Sequence, residues 1–177
     1  MSVTTPVQPR SAGSPLATSR SSRILVAGVR VAAGLLWIQN AGWKTPPRFD
    51  ALHGWTLNGV DHPVLAPWAW FIRHVVLPNF TAFGWLTLAV EASLGGFLLV
   101  GLATRFWALV GIAQTTAIGR TVLHAPHEWA WSYILMGLAH VAIFATAAGR
   151  WYGLDGVLRP SWRQVGGPVP RLLLRAS

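Results

Sequence analysis

The chain has 177 residues, 53% of them hydrophobic and 11% charged, with a formal net charge of +9 and no cysteine. Soluble domains carry about 25% charged residues, so charge is too sparse here to cover an aqueous surface, and lipid is the natural solvent for the excess apolar area. The lack of cysteine excludes disulfides, thiolate metal sites, iron–sulfur ligation and a catalytic thiol.

Residues 1–22 are rich in Ser, Thr, Pro and Ala and read as a disordered tail. The first apolar run, Arg23–Asn40, continues past a signal-peptide core, and no small-residue cleavage site closes it. It is read as the first of four spans, at about 23–40, 83–102, 106–123 and 129–148. Each approaches the roughly 20 residues a bilayer core requires, and helix is the open-ended element that satisfies its own backbone in lipid. The predicted fold is therefore all-α, an integral membrane four-helix bundle.

Between the first two spans, Ala41–Ala82 carries Pro46, Pro47, Pro63, Pro67 and Pro78 together with Trp43, Trp55, Trp68 and Trp70. Prolines interrupt helices, and tryptophans favour the headgroup layer. This outer loop is expected to hold one short interfacial helix over Val64–Leu77, lying on the membrane or dipping into it. Residues 159–177 form a basic cytoplasmic tail able to meet anionic headgroups.

Orientation follows from Lys and Arg. One side holds Arg10, Arg20, Arg23, Arg105, Arg150, Arg159, Arg163, Arg171 and Arg175; the other holds Lys44, Arg48, Arg73 and Arg120. The heavier side is cytoplasmic by the positive-inside rule, so both termini are expected in the cytoplasm of a bacterial-type plasma membrane. Basic residues placed this way, with no supporting motif, speak for the bilayer and against nucleic acid as a partner.

Polar groups at membrane depth are costly and mark interior contacts. Arg30 lies about 10 Å from the inner end of the first span and Glu91 about 16 Å from the inner end of the second, at 1.5 Å per residue. A long arginine bridges that offset, so an Arg30–Glu91 ion pair is expected, and the functional pocket is expected to depend on it. His140 and Gln114 are the other centrally placed polar residues. With no second central histidine, neither haem nor a metal is expected. Gln39-Asn40-Ala41-Gly42-Trp43-Lys44 places amides, an indole and an amine at the outer end of the first helix, where Lys44, Arg48 and Arg73 would attract a small anion.

Several strings match a known pattern in order and spacing. They are Arg30-Val-Ala-Ala-Gly34, Gly42-Trp-Lys44, Glu91-Ala-Ser-Leu-Gly-Gly96, Leu98-Leu-Val-Gly101-Leu-Ala-Thr104-Arg105 and Gly149-Arg-Trp-Tyr-Gly-Leu-Asp155. Together they cover roughly residues 23–158. The chain thereby resembles the DoxX family of small four-helix membrane proteins, and within it the DoxD-type small subunit of thiosulfate:quinone oxidoreductase.

The resemblance implies an oxidoreductase subunit passing electrons from thiosulfate or a related reductant to quinone. On that reading Glu91, Arg30 and His140 are the candidate catalytic residues. Lys44, Arg48 and Asn40 would bind substrate, while Trp37, Trp107 and Gln114 would line the quinone pocket. Arg105 and Asp155 are further motif positions without an assigned role. Partners would be the bilayer, a second oxidoreductase subunit or soluble redox enzyme, and a second copy of the chain. A non-catalytic scaffold for soluble redox enzymes and a small-solute transporter remain alternatives, because family membership does not fix activity.

Overall fold

The computed structural model describes residues 19–177. Most of the tail expected over 1–22 lies outside the described residues. Helix α1 spans Arg20–Gly42; Ser19 opens it, its hydroxyl accepting from the Ser22 N–H at 3.1 Å, as short hydroxyl side chains do at helix starts. Then come α2 (Asp50–Asp61), α3 (Ala66–Phe71), α4 (Phe80–Val100), α5 (Thr104–Val122), α6 (Ala130–Thr146), α7 (Leu154–Val165) and α8 (Pro168–Ala176). The described residues are all-α, and α1, α4, α5 and α6 occupy the four apolar runs.

The connection between the first two runs departs from expectation twice. Helix α2, formed by Asp50–Asp61, was not foreseen. Its mixed polar and apolar sequence hides one inward residue, Gly59, where an added Cβ would lie 2.3 Å from Ile72 Cδ1. The segment Val64–Leu77 is also no separate interfacial helix. From Ala66 it runs through a wide π turn at Ile72–Val76 and a tight turn at Leu77–Asn79 directly into α4, giving 35 continuous helical residues. Pro78 sits at the start of the tight turn, where its missing N–H costs least. The basic segment 159–177 is likewise helical, as the end of α7 and all of α8.

Two helical stretches, Arg20–Gly42 and Ala66–Val100, have the length and hydropathy to cross a membrane, and Ala130–Thr146 is apolar but shorter. Only 33% and 28% of their most apolar windows are buried. Leu25, Leu35, Leu36, Leu86, Leu109 and Leu138 all point outward. Apolar surface on that scale is rare on a soluble monomer.

Small residues set how closely the helices approach. Helices α1 and α4 pack along one another, as do α5 and α6. A Cβ on Gly34 would lie 2.9 Å from the Leu99 side chain and 3.1 Å from the Gly95 carbonyl. A Cβ on Gly95 would meet the side chain of Ile38 at 2.5 Å. These contacts fix an antiparallel register in which Gly34 faces Gly95–Leu99 and Ile38 faces Gly95. The apolar core above and below comprises Ala33, Trp37, Leu94, Leu98, Ala108, Ile143 and Ala148.

Gly34→Val forces a branched side chain into that contact and should destabilise the protein by about 1–3 kcal/mol, as overpacking does. Gly28→Ala, which meets nothing within 4 Å, should leave the midpoint unchanged or raise it. Thermal unfolding of both variants in one detergent checks the contrast.

Candidate functional site

The glycine register decides which charges meet. With Gly34 opposite Gly95–Leu99, Glu91 is level with the end of α1, and Arg30 is level with Gly101. Ten residues of α4 separate those levels, about 15 Å at 1.5 Å per residue. The expected Arg30–Glu91 ion pair therefore does not form, and the pocket built on it loses its basis. Depths counted from the ends of the apolar runs misplaced both groups, because helix ends do not sit at equal depth. The actual partner of Glu91 is Lys44, whose Nζ lies 2.5 Å from Glu91 Oε2 with both side chains almost fully enclosed.

Four residues converge there. Lys44 Nζ also donates to the Asn40 carbonyl at 2.6 Å, capping the end of α1 with a cation. Gln114 Nε2, from α5, donates to Glu91 Oε1 at 3.2 Å. The Asn40 side chain stands beside the same carboxylate, and its Oδ1 accepts from Trp43 Nε1 at 3.3 Å. The Trp43 ring lies 4.2 Å from Lys44 Nζ, a cation–π contact, and remains 38% exposed. It forms the outer wall of the cluster. Thr115, next to Gln114 in the chain, has a buried hydroxyl without a partner among the described residues.

One level deeper, Trp37 and His140 form a closed pair. Trp37 Nε1 donates to His140 Nε2 at 2.9 Å. His140 Nδ1 lies 2.7 Å from the Met136 carbonyl. An indole N–H only donates and a carbonyl only accepts, so His140 is the neutral Nδ1–H tautomer by its neighbours. Both ring nitrogens are engaged within the protein. Gly111 makes room for the ring, since a Cβ there would lie 2.1 Å from His140 Cδ2.

Arg30 and Asp155 stand at the opposite end of the bundle. Arg30 is 2% exposed and donates to the carbonyls of Ala148 at 3.2 Å, Trp151 at 3.3 Å and Tyr152 at 3.2 Å. The turn after α6 aims those carbonyls through left-handed residues at Ala147 and Tyr152, each costing about 1–3 kcal/mol without compensation. Gly153 leaves the space, since a Cβ there would lie 2.3 Å from Arg30 Nη1. Asp155 accepts from the N–H groups of Ala103 at 2.7 Å and Thr104 at 3.0 Å. It thus caps the start of α5, where a carboxylate suits the helix dipole. Both residues lock the bundle end.

The remaining expected residues lie apart. Arg48 is exposed and pairs with Asp50 at 3.4 Å across a solvated surface, where ion pairs contribute little. Trp107 stacks on Phe97, with centroids 4.7 Å apart, and Arg105 lies over the Phe144 ring at 4.4 Å. Of the expected set, Lys44, Asn40, Glu91 and Gln114 are brought together. Trp43 was not assigned a role from sequence, although an aromatic ring beside the lysine of the Gly42-Trp-Lys44 string was a usable signal.

Comparison with known proteins supplies the lineage. Residues 22–169 match the family described as TQO small subunit DoxD. The chain belongs to the DoxD family. No curated protein and no solved structure matches it. The DoxD match contains every residue of the Lys44 cluster and both lock residues.

Removing one member of a buried ion pair strands the other, at a cost of about 3–5 kcal/mol. Lys44→Met and Glu91→Gln should each destabilise on that scale. The double variant should recover most of the loss, giving a strong coupling in a thermodynamic cycle. Urea or thermal unfolding of the four proteins reads it; additive single losses would show that the pair is not coupled.

Proposed function

We propose that this DoxD-family chain is the membrane-embedded small subunit of a thiosulfate:quinone oxidoreductase-type complex, and that the Lys44–Glu91–Gln114–Asn40 cluster is where quinone chemistry is served. The observation that carries this reading is an enclosed lysine–glutamate pair with two carboxamides at one end of an otherwise apolar bundle. Intramembrane ionisable groups on interior faces mark ligand or proton paths. Family membership supplies the quinone context.

The cluster suits a quinone headgroup by its donor set. Lys44 and Gln114 offer N–H groups to a carbonyl oxygen, and Glu91 can accept or return a hydroxyl proton. Quinone, when bound, supplies a two-electron, two-proton acceptor. Lys44 would stabilise developing negative charge on an oxygen, as a preorganised cation does in a low-dielectric site. Glu91 would exchange the proton, with Gln114 and Asn40 holding its carboxylate in place. Trp43 would cover Lys44 against water and turn aside for entry. Electrons come from the reductant or from a partner subunit, since no thiol on this chain can carry them.

This assignment differs from the sequence reading in its residues. Arg30 and Asp155 act as structural locks, His140 holds Trp37 in place, and Arg48 stays outside. The four helices α1, α4, α5 and α6 are proposed to span the bilayer, with both termini on the cytoplasmic side and α2 and α3 on the other.

Turnover tests the site. In detergent-purified protein with its native partners, thiosulfate-dependent reduction of a soluble quinone analogue should fall at least ten-fold in Glu91→Gln. Arg48→Gln should stay within two-fold of wild type. Unaltered turnover in folded Glu91→Gln removes the cluster from the reaction. Topology has its own test in this cysteine-free chain: with a membrane-impermeant maleimide on intact cells, His62→Cys should label and Ser161→Cys should not.

A further inference from the structure

A lysine at the end of a membrane span ordinarily extends its stem toward the headgroups. Lys44 turns inward instead, and its side chain is almost fully enclosed against Glu91. What holds it there lies further along the chain. Thr45, Pro46, Pro47 and Arg48 are all exposed, so this connection offers little grip on the bundle. The next buried residue is Phe49, which is fully enclosed. Its ring fills the hollow left by Gly84 on α4: a Cβ at Gly84 would lie 2.5 Å from Phe49 Cδ2 and 2.8 Å from Cγ. Trp85 meets the same ring edge to face, with centroids 5.5 Å apart.

Phe49 also governs the backbone that leads back to Lys44. Its N–H donates to the Thr45 carbonyl at 3.0 Å, and its own carbonyl accepts from the His53 N–H at 2.8 Å. The first bond closes the connection into a turn directly after Lys44, and the second starts α2. Phe49 has left-handed backbone angles, φ 55° and ψ 38°, a conformation that a bulky side chain keeps only where its surroundings enforce it. The ring seated at Gly84 supplies that enforcement. One turn along α2, His53 packs edge to face on Phe80, with centroids 4.7 Å apart. Lys44, Phe49 and His53 thus meet α4 in the order Glu91, Gly84 and Phe80, running toward the start of that helix. Gly84 and Glu91 lie on one face, about two turns or about 10 Å apart.

We propose that Phe49 is a positioning residue for the Lys44 cluster: seated on Gly84, its ring anchors the 44–49 connection along α4 and so keeps the Lys44 ammonium on Glu91. It acts through the backbone turn that begins beside Lys44. Loss of the aromatic plug frees Lys44 to swing toward the headgroup layer, away from the carboxylate. The consequence for turnover rests on the quinone reading above; the placement of Lys44 does not.

The full chain in detergent tests it. The thermodynamic cycle of Lys44→Met and Glu91→Gln is measured by unfolding in wild type and in the Phe49→Ala, Phe49→Leu, Gly84→Ala and Gly96→Ala backgrounds. A general loss of stability lowers every member of a cycle alike and leaves the coupling unchanged, whereas displacement of Lys44 removes it. The coupling should fall below about half its wild-type value in Phe49→Ala, and likewise in Gly84→Ala, whose new methyl evicts the ring. Phe49→Leu keeps an aliphatic plug and should lie between Phe49→Ala and wild type; it carries the test if Phe49→Ala does not fold. Gly96→Ala, on the same helix with nothing within 4 Å, should retain the full coupling. With native partners present, turnover of a soluble quinone analogue should drop at least three-fold in Phe49→Ala and stay within two-fold in Gly96→Ala. Undiminished coupling in the folded Phe49 or Gly84 variants would overturn the proposal, as would full turnover in Phe49→Ala where Glu91→Gln has lost it. Normal turnover in Glu91→Gln instead removes the quinone reading, and the coupling alone then decides the role of Phe49.

Discussion

The close contact of α1 with α4, permitted by Gly34 and Gly95, is the constraint from which the polar architecture follows. A Cβ at either position would overlap the facing helix, so a small pair at this spacing fixes the axial register as well as the distance. Glu91 is thereby brought level with Asn40 and the segment leading to Lys44, and Arg30 level with Gly101. Between these two polar levels lies the apolar core with the Trp37–His140 hydrogen bond at its centre. Helix association in a lipid-like setting depends on such packing, because apolar surface gains little by leaving lipid for protein.

The two polar levels differ in chemistry. At the Arg30 end, guanidinium and carboxylate face backbone groups: three carbonyls for Arg30 and two N–H groups for Asp155. Asp155 satisfies the first N–H groups of α5, and Arg30 satisfies carbonyls of the turn between α6 and α7. At the Lys44 end, apart from the Lys44 bond to the Asn40 carbonyl, side chains face side chains: ammonium, carboxylate and carboxamides, with the half-exposed Trp43 outside. Backbone-directed charges are fixed by the fold, whereas a side-chain cluster can exchange partners with a ligand. The proposed division, with chemistry at one end and stability at the other, rests on that distinction. Glycines make room for two of the buried polar side chains, Gly111 for His140 in the core and Gly153 for Arg30 at its end.

Much of this was legible in the sequence. The four apolar runs mark where the long helices form, and the family strings contain Lys44, Glu91, Arg30 and Asp155. What could not be read was pairing. Depth along a helix was counted from the ends of apolar runs, and those ends are poor rulers when one helix starts three residues early and another continues from a preceding helical stretch. The register was written instead in Gly34, Ile38, Gly95 and Leu99, whose message is shape and requires both surfaces to be known. Helix α2 was missed because a single inward glycine leaves no apolar period. The continuity of α3 with α4 was missed because Pro78 reads as a break, though the chain carries it through a wide turn followed by a tight one. Asp155 as a helix cap could not be foreseen because its partners lie about fifty residues away.

The register itself can be measured directly. Because the chain has no cysteine, two introduced thiols are the only ones present, and oxidative cross-linking reports which positions meet. Ile38→Cys combined with Gly95→Cys should form an intramolecular disulfide readily, since Gly95 faces Ile38 at van der Waals distance. Arg30→Cys combined with Glu91→Cys, about 15 Å apart along the helix pair, should not. A cross-link between 30 and 91 with none between 38 and 95 would contradict the register, and with it the pairing of Glu91 with Lys44.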